Sequence, residues 1–339
     1  MSAATTGTRR WTRRPEGSNW GDFGADDQVG RLNLITPELR LAAMREVQEG
    51  MAFALSLPLD YPGGEPEGAP RRAPKLFATS FGEHQMFNFH ITPTDICCDD
   101  GVIMSLQYST QWDSLAHWGR MFDVDGSGIE TPVYYNGYRA GVDLVGPDGE
   151  RGPHADRLGI ENMAMTGVQG RGVLVDLVRS FGTGRTLIDH AKLMHAMTEQ
   201  RCDVRRGDFL LLYTGYCDAL MRMQKHPDEA VLHQTGAALD GRDEQLLDWV
   251  ETSGIVSLIA DNPAVEAFDP ELKATGAHGL LPLHERCLFK LGIHLGELWW
   301  LSELAGHLRK TGRHAFLLTA PPLRMPGAVG SPMTPVATV

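Results

Sequence analysis

The chain has 339 residues, 42% hydrophobic and 22% charged, with 31 Lys plus Arg against 43 Asp plus Glu and a formal net charge of −12. At about 150 residues per domain the length allows one large domain or two ordinary ones, and the composition excludes wholesale disorder, collagen and coiled coil. So acidic a chain repels phosphate backbones, which argues against nucleic acid as a partner, and no apolar run reaches the ~20 residues of a membrane-spanning helix.

The first fifteen residues hold Arg9, Arg10, Arg13 and Arg14 and no acid. Pro15-Glu16-Gly17 follows in place of the apolar segment of a targeting signal. Residues 1–30 are therefore expected to form a partly extended arm that packs on another subunit, and the protein is expected to stay in the cytoplasm. Residues 31–339 read as one domain.

Next in chain order, Thr36 and Pro37 predict a helix that runs through Leu41, Met44 and Val47 and stops at Gly50. The Pro- and Gly-rich stretch 60–75 predicts a long surface loop, and 145–157 predicts a second. Helical spacing covers Leu187 to about Glu199, Asp243 to Thr252 and Glu297 to Leu308. Continuous apolar runs at 172–178, 208–213, 255–260 and 315–320 predict strands covered on both faces. Strands interleaved with helices predict an α/β layered domain with a central mixed sheet. The five cysteines, Cys97, Cys98, Cys202, Cys217 and Cys287, are odd in number and lack a Cys-x-x-Cys pair, which reads as reduced thiols.

Two segments carry chemistry. In Gln107-Tyr-Ser-Thr-Gln-Trp-Asp-Ser-Leu-Ala-His117, the even spacing of Gln107, Gln111 and Asp113 points them to one face of an extended segment. His117 lies one helical turn or one tight loop beyond Asp113. Read alone, the spacing fits a strand edge with a packed imidazole better than a convergent site. In the second segment, His284 and Glu297 would lie on nearly opposite sides of one continuous helix, at ~100° per residue. Gly292 and Gly296 predict instead a helix, a short extended piece and a new helix that begins at Glu297, where the dipole favours a carboxylate.

The chain resembles the cyclase family of metal-dependent hydrolases, which includes kynurenine formamidase and isatin hydrolase. The family signature His-x-Gly-Thr-His-x-Asp-x-x-x-His aligns with Gln107 to His117. Further matches follow in register: Gly170-Arg-Gly-Val-Leu-Val-Asp176, Leu211-Leu-Tyr-Thr-Gly-Tyr216, Ala260-Asp-Asn-Pro263, His284, Glu297 and Gly330-Ser-Pro332. The resemblance implies a swivelling β/β/α fold, a homodimer or homotetramer, and a divalent metal. It also implies Gln107, Gln111, Asp113, His284 and Glu297 as the metal-ligand positions and His117, with Asp113 beside it, as the acid/base group.

Both leading imidazoles of the signature are Gln here. An amide oxygen is a poor zinc ligand, so the set is hard and oxygen-rich and suits Mn²⁺, Mg²⁺ or Ca²⁺ better than Zn²⁺. With a metal, the resemblance implies opening or cleavage of an amide, lactam or lactone in a small aromatic or cyclic substrate. Without one, Asp113, Glu297 and His117 form an acid/base set for dehydration, cyclisation or isomerisation. A third reading is a non-catalytic small-molecule binding protein on the same scaffold. Trp112 and Trp118, with His84, Phe87, Phe89 and His90 upstream, are expected to line the substrate pocket, and Trp299 and Trp300 are expected in the core.

Overall fold

The computed structural model describes residues 9–64, 70–268 and 279–339. Its centre is a nine-stranded mixed sheet. In chain order the strands are β1 (Ala52–Ala54), β2 (Gln111–Asp113), β3 (Gln169–Asp176), β4 (Phe209–Tyr213), β5 (Ser257–Ala260), β6 (His294–Glu297), β7 (Ala315–Thr319), β8 (Gly330–Pro332) and β9 (Val336–Thr338). They lie in the order β1–β9–β7–β3–β4–β5–β6–β2–β8. The four central strands β3 to β6 are parallel, and every other pairing is antiparallel.

The apolar runs explain the centre. Every residue of β4 and β5 is buried, as in strands covered on both faces. Successive side chains alternate. Leu210 and Leu212 pack into one core with Leu258, Leu283, Leu288 and Phe289. Phe209 and Leu211 pack into the other with Trp112, Ile259, Trp299 and Phe316. The fold is thus mixed α/β, as the sequence leads one to expect, with a layer on each face of the sheet.

The helices adjust the sequence reading in three places. α1 (Pro37–Ala43) starts where expected, with Thr36 Oγ accepting from Leu39 N, but tightens into a 3-10 turn at Met44–Glu46 and ends short of Gly50. α2 (His190–Gln200) starts at the Asp189 cap, because Thr186–Ile188 pairs as a strand with Ala237–Leu239 and takes Leu187 out of the helix. α3 (Glu244–Ser253) lies between an Asp243 cap and a left-handed Gly254, as expected. α4 (Ser302–Thr311) begins five residues after Glu297, which belongs to β6 rather than to a helix start.

Residues 9–30 pack against their own chain. Trp11 and Trp20 are buried, and Trp20 Nε1 donates to Phe289 O at 2.7 Å. Residues 1–8, and residues 65–69 of the expected loop at 60–75, lie outside the described residues. The second expected loop contains a short pairing of Leu144–Val145 with His154–Ala155.

Between β1 and β2 the chain makes a ribbon that, among the described residues, joins no other sheet. Lys75–Ala78 pairs with Asp100–Ile103, Ser80–Phe81 with His84–Gln85, and Phe89–His90 with Ile96–Cys97. Among the described residues, no helix is long and apolar enough to cross a membrane.

Candidate active site

The site forms where β2 meets β6. These strands run antiparallel, with Gln111 opposite Glu297 and Asp113 opposite Leu295. Gln111 and Asp113 are two apart, so both side chains leave the same face of β2, and Glu297 shares that face across the ladder. The helix Pro282–His284 brings His284 over it. The chain then continues through one π-helical segment, Glu285–Leu291, turns at a left-handed Gly292 (φ 59°) and enters β6. A side chain at Gly292 would be strained by that φ and would collide with Gly30 and the Tyr135 ring. The break and the extended piece expected between His284 and Glu297 are present, but Glu297 ends that extended piece as the last residue of β6 instead of beginning a helix.

Asp113, His284 and Glu297 are each buried, and one potential ligand atom from each lies within 4.8 Å of the other two. Gln111 Nε2 donates to Asp113 Oδ1 at 3.2 Å and to Glu297 Oε2 at 3.0 Å. The neutral amide thus bridges two acids from the position where the signature places an imidazole. Gln111 Oε1 and Asp113 Oδ2 are buried and lack a hydrogen-bond partner among the described residues. His117 follows in a tight loop, its N–H donating to Ser114 O, and its Nε2 stands 3.9 Å from Asp113 Oδ1.

The sequence reading missed Glu266. It is buried, and its Oε1 lies 2.8 Å from His284 Nδ1 while also accepting His284 N at 2.9 Å; its Oε2 accepts Leu283 N at 3.0 Å. This carboxylate fixes the start of the helix and the plane of the imidazole, leaving His284 Nε2 aimed at Glu297 Oε1, 3.3 Å away. A carboxylate behind a histidine is the usual support of a metal-ligating imidazole. No local motif announces Glu266, which lies eighteen residues before His284 (284 − 266) in a different loop.

The electrostatics follow from burial. Desolvation, with Asp113 alongside, pushes the Glu297 carboxyl up to about 7. Burial opposes charge on His284, but hydrogen bonds to Glu266 and Glu297 override it and raise the imidazole to about 10. Burial holds His117 below its ordinary value, with Asp113 pulling the other way and His284 adding to the depression. Three buried acids thus surround one buried imidazole. A divalent cation fits this donor set: it would satisfy the orphaned Asp113 oxygen and offset the acid excess.

The remaining expected residues separate. Gln107 is half-buried in a turn before β2 rather than in the strand. Gly330 of β8 pairs with Asp113, and the Gln107 amide occupies the space that a Cβ at Gly330 would need, on Asp113's face of the sheet. Arg71 Nη1 donates to Gln107 O at 2.9 Å, and its charge acts on both His117 and Glu297. Trp118 stacks edge-on against His284, ring centres 5.4 Å apart. Trp112 does not line the pocket: it alternates with Gln111 and Asp113 to the opposite face, where it packs on Trp299 and donates to Ala320 O. Trp299 is in the core, as expected, and Trp300 packs beside Leu57, Tyr61 and Leu298. His84, Phe87 and His90 are exposed on the ribbon and Phe89 is half-buried there, so within the chain the structure does not bring them to the acid–imidazole cluster.

Residues 53–267 match the sequence profile of the family described as "Putative cyclase". A solved structure described as a novel cyclase is 34% identical, covering 95% of this chain and 97% of its own, with a TM-score of 0.75. Isatin hydrolase A from Labrenzia aggregata, bound to benzyl benzoate, is 14% identical over 85% of this chain and 93% of its own, with a TM-score of 0.54. Isatin hydrolase A from Ralstonia solanacearum is 13% identical over 89% and 97%, with a TM-score of 0.52. No curated protein matches the chain.

Proposed function

The chain belongs to the cyclase family, and on that premise we propose that it hydrolyses an amide, lactam or lactone bond in a small aromatic or cyclic substrate. The observation that carries this reading is the buried Asp113–His284–Glu297 cluster with His117 at its rim. Those three side chains would hold the divalent metal, with the Gln111 amide beside them. Bound at such a site, a divalent cation supplies Lewis-acid polarisation and lowers the pKa of water.

The chain's own residues do the rest. His117, kept neutral by burial, takes a proton at Nε2 from the attacking water. The hydroxide adds to the carbonyl carbon, the C–N or C–O bond breaks, and His117 returns the proton to the leaving nitrogen or oxygen. Asp113 Oδ1 faces the imidazolium that forms between these transfers. Glu266 holds His284 in place throughout. The Trp118 ring offers an apolar wall beside His284, which suits a flat or aromatic substrate. The hydrolases that share the fold support the same class of chemistry.

A metal-free reading has one observation in its favour. The Gln111 amide already holds Asp113 and Glu297 together, and a Glu297 carboxyl near pH 7 is suited to act as an acid. Elemental mass spectrometry of protein purified without a His-tag or chelator separates the two. About one Mn, Mg, Ca or Zn per chain is expected. Less than about a tenth of an equivalent, unchanged after soaking in Mn²⁺ and Zn²⁺, rejects the metal form and leaves dehydration or cyclisation to be assayed.

Gln111→His is expected to raise zinc affinity at least tenfold, since it replaces an amide with an imidazole nitrogen at the same position. Competition against a chromophoric chelator reads this directly. Unchanged affinity would show that residue 111 does not reach the ion.

A further inference from the structure

We propose that Arg71 sets the specificity of the site by holding a carboxylate of the substrate, so that the molecule hydrolysed is an aromatic or cyclic acid rather than a neutral compound. The inference rests on the hydrolase reading above and names the class of substrate within it.

Position comes first. Arg71 Nη1 donates to Gln107 O at 2.9 Å. The Gln107 amide lies against Gly330, and Gly330 pairs with Asp113, so Arg71 is held at the side of the site that Asp113 occupies. The next residue braces it: Arg72 N donates to Ser105 Oγ at 2.8 Å, and Ser105 N donates to Arg72 O at 3.2 Å. Among the described residues the Arg71 guanidinium makes no ion pair with Asp113 or Glu297, yet its charge bears on both Glu297 and His117. It therefore stands across a gap from the reacting groups, and that gap is where a bound substrate would lie.

The free edge of the guanidinium identifies what it takes. An arginine presents five N–H donors in a planar fork. The bond from Nη1 to the Gln107 carbonyl fixes the plane and leaves the edge formed by Nε and Nη2. That edge matches the two oxygens of a carboxylate. Among the described residues neither Nε nor Nη2 has a hydrogen-bond partner, and no acid pairs with the group. Arg120, two residues beyond Trp118, is by contrast engaged by Glu285.

Charge balance points the same way. A divalent cation held by Asp113 and Glu297 would offset both acids and leave the Arg71 charge without a counterion. An anionic substrate supplies one. The chain as a whole carries −12, so an anion is repelled over most of its surface and drawn to an unpaired guanidinium at the mouth. Arg71 for the carboxylate and the Trp118 ring for the flat body would together fix the substrate at two points beside His117.

Isothermal titration of the protein as purified, with benzoate and its neutral isostere benzamide as probes, tests the assignment without turnover. Wild type is expected to bind benzoate at least tenfold more tightly, the scale of charge-assisted hydrogen bonds. Arg71 is exposed, so its replacement leaves the core untouched. Arg71→Met is expected to lose the preference, and Arg71→Lys to keep part of it, because an ammonium retains the charge without the fork. Arg72→Met, at the neighbouring exposed arginine, is expected to keep it in full. A wild type without the preference overturns the proposal. So does a preference that survives Arg71→Met, which would place the carboxylate on another group. Turnover gives the second readout. Aryl lactones and amides bearing a ring carboxylate should exceed their carboxamide isosteres at least tenfold in kcat/KM, with the difference in KM. Equal turnover of both series overturns the proposal and leaves the hydrolase reading standing. Turnover of neither overturns the hydrolase reading, and the titration then decides by itself whether Arg71 takes the anion.

Discussion

Replacing His117 by Ala is expected to lower turnover by about 10²–10⁴-fold, the range that a positioned general acid/base contributes. The fold should be little affected. The side chain is 19% exposed, and its ion-pair contact with Asp113 is 3.9 Å long, beyond hydrogen-bond range. Truncation therefore removes little packing and strands no donor, and the stability change should stay within about 1 kcal/mol. The pH profile adds a second check. Burial holds His117 below its ordinary value, and only the neutral ring accepts a proton. The acid limb of kcat/KM should then lie below ~6.5 in the wild type and disappear in the variant. A limb that survives His117→Ala would assign the proton transfer to another group, with Glu297 the first candidate.

The largest loss of stability is expected from Glu266→Ala. Glu266 makes three hydrogen bonds from its two oxygens, to Leu283 N, His284 N and His284 Nδ1, all of them buried. Its removal leaves two backbone donors and the His284 Nδ1 unpaired, with only the Nε2 contact to Glu297 remaining. Breaking a buried charged pair on one side costs about 3–5 kcal/mol. Denaturant unfolding measures this, and a loss under ~1 kcal/mol would show that the helix at Pro282 supports His284 without help. Glu266→Gln keeps the acceptor and the shape. It is expected to fold with a smaller loss but to bind metal about 10–100-fold more weakly, as variants of the carboxylate behind a ligating histidine do.

Much of the fold was legible because the information was local. The runs 208–213 and 255–260 are apolar without interruption, and both became central strands with ends within two residues of those expected. Asp243 and Gly254 bracketed α3 by capping chemistry alone. The four ionisable residues Asp113, His117, His284 and Glu297 were picked out by the resemblance to the family, since their spacing alone favoured a packed imidazole and a surface carboxylate, and the structure brings them together. The errors arose where tertiary pairing decided. Leu187 has helical spacing but pairs with Ala238, and Glu297 precedes a helix but is held in a ladder with Gln111. Trp112 was misplaced although the alternation that groups Gln111 with Asp113 also turns it away. The Phe-rich stretch around His84 was read as pocket because aromatic content marks a buried surface. It does not say which chain supplies the surface that buries it. Glu266 had no local signal, since its partner is reached only after an intervening segment and the start of a new helix.

Gly330 sits beside Asp113 in β8, and six residues later the chain returns as β9 between β1 and β7, at the other end of the strand order, a step so short a link can make only because the sheet curls and brings its two ends together. Residues 330–338 therefore close both flanks. β1 pairs with β9 across most of the sequence, Ala52 with Thr338. Such long-range pairing gives a high contact order and slow folding. On the ribosome, where the amino-terminal part emerges first, the strand that carries Asp113 must wait for almost the whole chain before its outer edge is covered. Until then it offers an open ladder to any extended peptide nearby. The nascent protein should lean on chaperones at this stage, and the site should be among the last parts of the molecule to mature.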